Sequence, residues 1–477
     1  MIHVSASDTS LVEARTSRLS SSINRFHGAL QESLTAATYL NSLVEPCHSL
    51  GLNIEAAAYF EAANAMWDQG EISSSIGMLQ ELERLPNLKH QTILIGRSMI
   101  LAKIASQVSI AKLEKPDRII EKYLSPALAE LKGRAGGSEA GQVYHEFAVF
   151  CDRQYQDPDS IEDLERLRIM REMKQSEVEA LMGMVKGSTG AQKQSYHKAY
   201  GHAKKWLDID NEEYQRLTSG RSQLLCQSLE NYLLSLGAWD DHDNDAMRFA
   251  ALWLKHSDVD IASEAVSKHL AKVPTFKFAS LANQLTSRLL DDLTDIFQKL
   301  LFKLVLDICI DHPYHGMYQV WAGQNTNPSD KDEAAVSRQK ATSNVGRNLS
   351  QDPRSRETWS AIDRISKQYC FFAAERGAKH GAKMLVNSSP GGSGLNKVLS
   401  KYRLPPPTLQ VELAVDKNYS RLPTMVSLEP HITIASGISA PKIITVIASN
   451  GRKYKQLVSD LFLIFTLFNH AILTICR

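Results

Sequence analysis

AAAYFEAANAMWDQGEISSSIGMLQEL (residues 56–82) reads as two helices and the turn between them. An Ala-rich segment with helical spacing runs to Trp67, Gly70 marks the turn, and a second apolar segment of the same period follows. The same spacing continues outward from about residue 28 to residue 320, with only short polar breaks. Ile100, Ile104, Val108 and Ala111 form one apolar stripe, and Leu225, Leu229, Tyr232, Leu233 and Leu236 another. The longest contains Leu293, Ile296, Phe297, Leu300, Leu301, Leu304 and Ile308. Each stripe has to be covered by a neighbouring helix. Many helices joined by short connections favour stacked helix pairs over a compact bundle, so the fold expected is mainly α, an α-solenoid.

The 56–82 pair is similar to a tetratricopeptide-like repeat, a unit that buries a continuous core only when several copies stack. The chain has 477 residues, enough for two or more domains, and its 43% hydrophobic and 22% charged residues suit globular structure. Lys and Arg number 54 against 53 Asp and Glu, so no global field drives the chain toward nucleic acid or acidic membranes. Its six cysteines are scattered without a Cys-x-x-Cys pair, which fits buried thiols in a reducing, intracellular compartment. The N-terminus lacks the apolar core of a secretory signal.

Residues 323–358 hold few large apolar side chains and read as a flexible linker or insertion. Helix is expected to resume near Trp359 and to run to Met384. Between Asp330 and Arg403 there are 14 Lys or Arg and 7 Asp or Glu, a solvated face or a surface for phosphate groups or an acidic partner. SSPGGSG (388–394) reads as a flexible joint and Pro405-Pro406-Pro407 as a stiff spacer. After the prolines the period changes to two. LQVELAVD (409–416), HITIA (431–435), KIITVIA (442–448) and RKYKQLV (452–458) are expected strands. Asn450-Gly451 predicts a tight type I′ hairpin. The division expected is therefore a helical scaffold over 1–322, the linker 323–358, a helical segment and joint 359–404, an antiparallel sheet 405–458 and an apolar tail 459–477.

Strand, Gly- and Ser-containing loop, strand, tight turn and strand follow one another as in the small lobe of a kinase. Ser436, Gly437 and Ser439 are the loop candidates for backbone contact with nucleotide phosphates, and Lys442 stands just behind them. An ordinary hairpin is the competing reading. Asp311, His312 and His315 in DHPYH carry metal-ligand chemistry, but Pro313 breaks the long helix ending near Ile310 and Asp is favoured in such turns, so a helix-ending turn is the reading preferred. WDDHDNDA (239–246) lacks the Gly and terminal Glu of a calcium loop and reads as a solvated turn capping the next helix. His145 and Cys151 read as packing residues. The apolar stretch Leu461–Cys476 would reach about 24 Å as a helix, short of a roughly 30 Å hydrocarbon core, so no membrane span is expected.

LPTMVSLEPHITIASGISAPKIITVIASNGRKYKQLV (422–458) resembles the beginning of the kinase domain in the ataxia-telangiectasia-mutated (ATM) branch of phosphatidylinositol-3-kinase-related protein kinases. VDKNYSRLP (415–423) is similar to the segment just upstream. FCDRQY (150–155), CQSLENYLLSL (226–236), LWLKHS (252–257), VPTFKFASLANQL (273–285) and DHPYH (311–315) resemble, in order, landmarks of that family's FAT domain, the helical scaffold around the kinase. The resemblance extends in particular to the fungal telomere-maintenance members. It implies a FAT domain of helix pairs followed by an incomplete antiparallel kinase N-lobe, in a nuclear serine/threonine kinase of double-strand-break signalling and telomere maintenance. It further implies ATP and Mg as cofactors of the complete kinase, protein partners along the scaffold, DNA reached only through recruiting proteins, and homodimers. In the family a phosphate-contacting Lys follows the strand of RKYKQLV, whereas this chain has Ser459, Asp460 and the apolar tail. The resemblance places neither Lys453 nor Lys455 at the nucleotide, and the catalytic-loop and metal-binding residues of the family have no counterpart here. No catalytic residue, metal ligand or cofactor is therefore expected for this chain alone, and the tail reads as foreign to the fold, such as translated non-coding sequence. The alternative is a helical-repeat interaction scaffold with no nucleotide binding.

Overall fold

In the computed structural model, which describes residues 5–86, 88–292, 294–375, 383–435 and 441–459, the 56–82 pair folds as its spacing requires. The helices Glu55–Asp68 and Ile72–Arg84 are joined through Gly70, whose φ of +85° is one that side chains with a Cβ rarely adopt. Ala56, Ala57, Ala58, Ala63 and Ala65 are buried, so neighbouring helices approach the first helix closely. Helix Arg97–Ile110 buries Ile100, Ile104 and Val108, as its stripe predicts. Helix begins earlier than the periodicity indicates: Ala6–Phe26 is opened by a capping box in which Ser5 and Asp8 satisfy each other's backbone N–H.

The chain divides into two compact units, one reaching Asp245 and including Lys268–Leu270, the other comprising Ala246–Ser267 and the residues from Ala271 onward. The first unit is helical throughout its described residues. One apolar core runs through it from Ala14 to Ala238. It also contains two helices of 30 and 49 residues, Pro158–Gly187 and Gly190–Ala238. The first of these buries Val178 alone, and exposed pairs such as Arg166–Glu162 and Arg168–Glu172 cover its surface. The second buries Leu207 midway, where Asp210 pairs with Lys174, and most of its buried residues lie towards its end, where the predicted stripe Leu225, Leu229, Tyr232, Leu233 and Leu236 is buried.

The second unit opens on an aromatic cluster. Trp253 packs against Phe249 at 5.5 Å and Phe297 at 4.8 Å between ring centres, and Phe249 meets Phe278 at 5.8 Å. Helix Ile296–Asp311 buries Phe297, Leu301, Leu304 and Ile308 of the longest stripe; Leu293 lies outside the described residues.

The expected linker 323–358 is mostly helix. Asp332 caps Glu333–Gln351 by accepting from the Ala335 N–H, and Ala341, Val345, Gly346 and Leu349 are buried. Few large apolar residues are needed because the helices approach closely: a Cβ on Gly346 would sit 2.8 Å from the Trp359 ring and one on Gly323 2.8 Å from the Thr342 side chain. Most of the described basic residues of 330–403 are exposed, and some are paired, Arg354 with Asp352 and Lys367 with Asp363. SSPGGSG is likewise ordered: Ser389 caps helix Pro390–Lys401, with Pro390 in its first turn. Helix Arg356–Ala374 ends before Met384, which lies in a strand. LQVELAVD forms no strand; Leu409, Val411 and Leu413 are only half-buried and Val415 is exposed, and the segment is held by side chains described below.

The sheet is small and antiparallel. Its strands are β1 (Lys383–Leu385), β2 (Met425–Leu428), β3 (His431–Ile434), β4 (Lys442–Ala448) and β5 (Lys453–Val458). β2 and β3 both pair with β4, one beside each half, as a single strand broken at Glu429-Pro430, where proline has no N–H to give. β5 lies along the other edge of β4, and β1 pairs with β3. The β4–β5 hairpin is present but its turn is not type I′. Gly451, with φ +75°, is its only left-handed residue, and the Gly451 N–H donates to Ala448 over a three-residue loop.

Candidate nucleotide-lobe site

β4 alternates strictly: Lys442, Ile444, Val446 and Ala448 are buried, and the residues between them are half-buried. On β5 the buried positions are Gln456 and Val458. The buried face therefore contains one lysine and one glutamine among apolar neighbours, and each needs a polar partner. Both find it on helix Arg356–Ala374. The Lys442 Nζ donates to the Ala373 carbonyl at 2.9 Å and lies 5.3 Å from the centre of the Phe372 ring. A carbonyl in the last helical turn has no partner within the helix, and a cation there also meets the negative end of the helix dipole. The Tyr369 hydroxyl donates to Gln456 Oε1 at 2.7 Å, and burial raises its pKa above that of an ordinary phenol.

Of the loop candidates, Ser436, Gly437 and Ser439 lie outside the described residues. Lys442 is 5% exposed, and its Nζ is bonded to a helix end. Lys453 pairs with Glu429 at 2.6 Å, and Lys455 is exposed. Tyr369 and Gln456 were not singled out in the sequence; the available signal was a glutamine at a position where the alternation of RKYKQLV calls for an apolar residue.

DHPYH holds the segment that was expected to be a strand. Thr275 donates to Asp311 at 2.8 Å, which leaves the His312 Nε2–H to donate to Thr275 and Nδ1 to accept from the Tyr419 hydroxyl at 2.8 Å. His315 Nε2 donates to the Val411 carbonyl, and Asp311 pairs with Lys417 at 2.8 Å. Burial lowers His312 to about 4, so it is neutral at pH 7. Burial works against ionised Asp311, but Lys417 and Thr275 hold it below the ordinary carboxyl range. The packing reading of this motif is the one its geometry supports.

The acidic turn is less solvated than its sequence predicts. Asp245 is buried and accepts from Ser235 at 2.8 Å and from His145 at 2.9 Å, while His145 stacks face to face on His242 at 3.9 Å. Burial opposes charge on His145, yet Asp245 raises its pKa; burial and His145 lower that of His242. Cys151 is buried and its thiol pushed far up. Among the described residues no group of three or more His, Cys, Asp or Glu is placed to hold a metal, and no helix is long and apolar enough to cross a membrane. The tail 460–477 lies outside the described residues.

No protein-family model matches the chain. Individual proteins do. The serine/threonine-protein kinase TEL1 of Gibberella zeae is 47% identical over 461 residues, 96% of this chain and 16% of that kinase. The tel1 kinase of Neurospora crassa is 47% identical over 453 residues, 94% of this chain and 15% of the relative. Among solved structures, the FAT and kinase domain of CtTel1 superposes with a TM-score of 0.84 at 47% identity, covering 95% of this chain and 31% of that one. The complete CtTel1 dimer with C2 symmetry gives 0.84 at 47% identity, covering 96% of this chain and 16% of its counterpart. Helical scaffold and unfinished sheet together are thus a FAT region joined to part of a kinase domain of the ATM-type class. Within that class the chain belongs to the Tel1 serine/threonine kinases, and it spans about one sixth of the length of the curated relatives it matches.

Proposed function

We propose that this chain is the scaffold and the first N-lobe strands of an ATP- and Mg-dependent serine/threonine protein kinase that signals DNA double-strand breaks and maintains telomeres in the nucleus. The observation that carries this reading is continuity: one match at 47% identity runs through the helices and the sheet alike over 96% of the chain. The helical surfaces would bind the proteins that recruit the kinase to DNA ends, and the dimer described for CtTel1 supports a homodimer of the whole protein. Phosphoryl transfer needs a base that orients the substrate hydroxyl and carboxylates that hold Mg. The chain spans about one sixth of the length of the relatives it matches, which supports reading it by itself as the scaffold with part of a lobe.

The test is incubation with ATP, Mg and a Ser-Gln peptide of two proteins: this chain, and a form continued through a complete kinase domain. The longer form is expected to phosphorylate the peptide and this chain to give none. Turnover by this chain, or no turnover by the longer form, would contradict the proposal.

A further inference from the structure

The acidic turn 239–245 is seated on the first turns of helix Ser138–Tyr155. The Gly137 N–H donates to the Ala238 carbonyl at 2.9 Å, and Gly141 lets the turn come close, since a Cβ there would sit 3.0 Å from the Trp239 Cβ. Two imidazoles complete the contact. His145, on the helix, and His242, in the turn, stack with ring centres 3.9 Å apart and planes 4° from parallel. On one side the His145 Nδ1–H donates to Asp245 at 2.9 Å, and Asp245 also accepts from the buried Ser235 hydroxyl. On the other, the Gln142 amide donates to Glu146 at 3.0 Å and so presents its Oε1 to His242, whose Nε2–H donates to it at 3.1 Å.

A first proton and a second are not equivalent in this pair. His145 touches a buried carboxylate, so a proton there makes its bond to Asp245 charge-assisted. His242 bonds to a neutral amide, and once His145 is charged its ring lies face to face with a cation. The other charged groups bear on the two rings unequally. Burial opposes charge on His145, but Asp245 and then Glu146 outweigh it, with Lys103 acting against them from helix Arg97–Ile110, where it pairs with Glu146 at 3.7 Å. Burial and His145 disfavour charge on His242, and Asp245, Asp241 and Glu146 only partly offset them. Asp240 and Asp243 are exposed in the same turn.

We infer that His145 and His242 form a proton-operated clasp: with one proton on the pair the turn 239–245 is held on helix Ser138–Tyr155, and a second proton forces the rings apart and releases it. This inference does not depend on the nucleotide-lobe reading. The signs give it a two-sided pH dependence. The His145 pKa is raised, so its contribution is complete below about 6.5 and is lost as pH rises through the folded value. That of His242 is lowered, so its contribution is present above about 6.5 and is lost as pH falls through the folded value. The turn is therefore held most tightly near pH 6.5 and less tightly on either side.

The experiment is hydrogen exchange in this chain, corrected for the intrinsic effect of pH on exchange and followed from about pH 5 to about pH 8. Protection of the amides at 239–246 is expected to peak near about pH 6.5, to fall about tenfold by pH 5 and about threefold by pH 8, while helix Ile296–Asp311 changes less than about twofold. His242→Gln, which leaves a neutral amide beside Gln142, is expected to abolish the acid-side loss and keep the alkaline one. His145→Gln is expected to flatten both. Protection that does not vary with pH in the parent overturns the inference. So does an acid-side loss that survives in His242→Gln, which would assign it to the carboxylates of the turn. Should the variants fail to fold, histidine labelled with carbon-13 at Cε1 is titrated in the parent: the pair is expected to titrate in two steps, one above and one below about 6.5, and both rings titrating together overturns the clasp.

Discussion

The helix pair Glu55–Arg84 and the sheet Met425–Val458 are held together in different ways. In the pair, the buried positions are mostly alanine, leucine and isoleucine, contacts that depend on area and shape, with a few polar ones among them: Ser75 donates to the Ala63 carbonyl at 2.6 Å and Glu61 pairs with Arg25 at 2.8 Å. In the sheet, an apolar face is interrupted at Lys442 and Gln456, and both groups bond to the end of one helix. Apolar packing dominates where helices stack on neighbours of the same kind. A sheet that must sit at a defined distance from a helix end gains from hydrogen bonds, which weaken steeply with misalignment. The comparison teaches that apolar area carries most of the helix pair, whereas the seating of the sheet on its helix adds two buried polar bonds to an apolar face.

The largest effect that would sharpen this contrast is expected in the pair. Leu79 is fully buried, so Leu79→Ala should cost about 2–5 kcal/mol through lost transfer energy and the cavity left behind. Denaturant titration followed by helical circular dichroism checks it, and a cost below about 1 kcal/mol would show a poorly packed pair. Next is Tyr369→Phe, expected to cost about 1–3 kcal/mol because Gln456 Oε1 loses its donor in a buried site. Two glycines in the helix pair should then differ in sign. Gly70→Ala should destabilise by about 1 kcal/mol because of its φ of +85°, whereas Gly77→Ala, in mid-helix with nothing within 4 Å of a new Cβ, should stabilise by about 0.5–1 kcal/mol. Thermal melts of the two variants read the difference directly.

The remaining effects are those of pH. His312 is depressed to about 4 in the fold against about 6.5 when unfolded, so its contribution is present above pH 6.5 and is lost as pH falls toward 4. The His145 pKa is raised, so its contribution is complete below about pH 6.5 and is lost as pH rises through its folded value. Between pH 7.5 and 5.5, His312→Gln should flatten the acid-side loss of melting temperature, and His145→Gln should remove a gain. Equal pH dependence of both variants and the parent would show that neither contact titrates.

Much of the scaffold was legible because apolar stripes such as Ile100, Ile104 and Val108 carry the helical period in the residues themselves. Helix Glu333–Gln351 was not. Its packing depends on Gly346 and Ala341 allowing close approach, and small residues leave no stripe in a hydropathy pattern. The segment 409–416 failed in the opposite sense: Leu409, Val411, Leu413 and Val415 alternate, yet Asp311, His312 and His315 hold the surrounding chain in an irregular path from far away in sequence. The hairpin was legible from Asn450-Gly451, though its turn type was not, since one left-handed residue closes it. At the candidate site the sequence showed Lys442 and its loop, but the lysine's partner lies 69 residues upstream on a helix end. Backbone partners of this kind have no residue signature.

The most direct measurement of the central claim, that directional polar contacts place the sheet, is a double-mutant cycle on Tyr369 and Gln456. Tyr369→Phe, Gln456→Leu and the double variant are compared with the parent by denaturant unfolding and by hydrogen exchange at 453–458. A coupling energy of about 1 kcal/mol or more between the two sites is predicted, with the double variant more stable than the sum of the single losses allows. Coupling within about 0.3 kcal/mol of zero, with exchange at β5 unaltered, would contradict the account and show that the Tyr369–Gln456 contact has no part in placing the sheet.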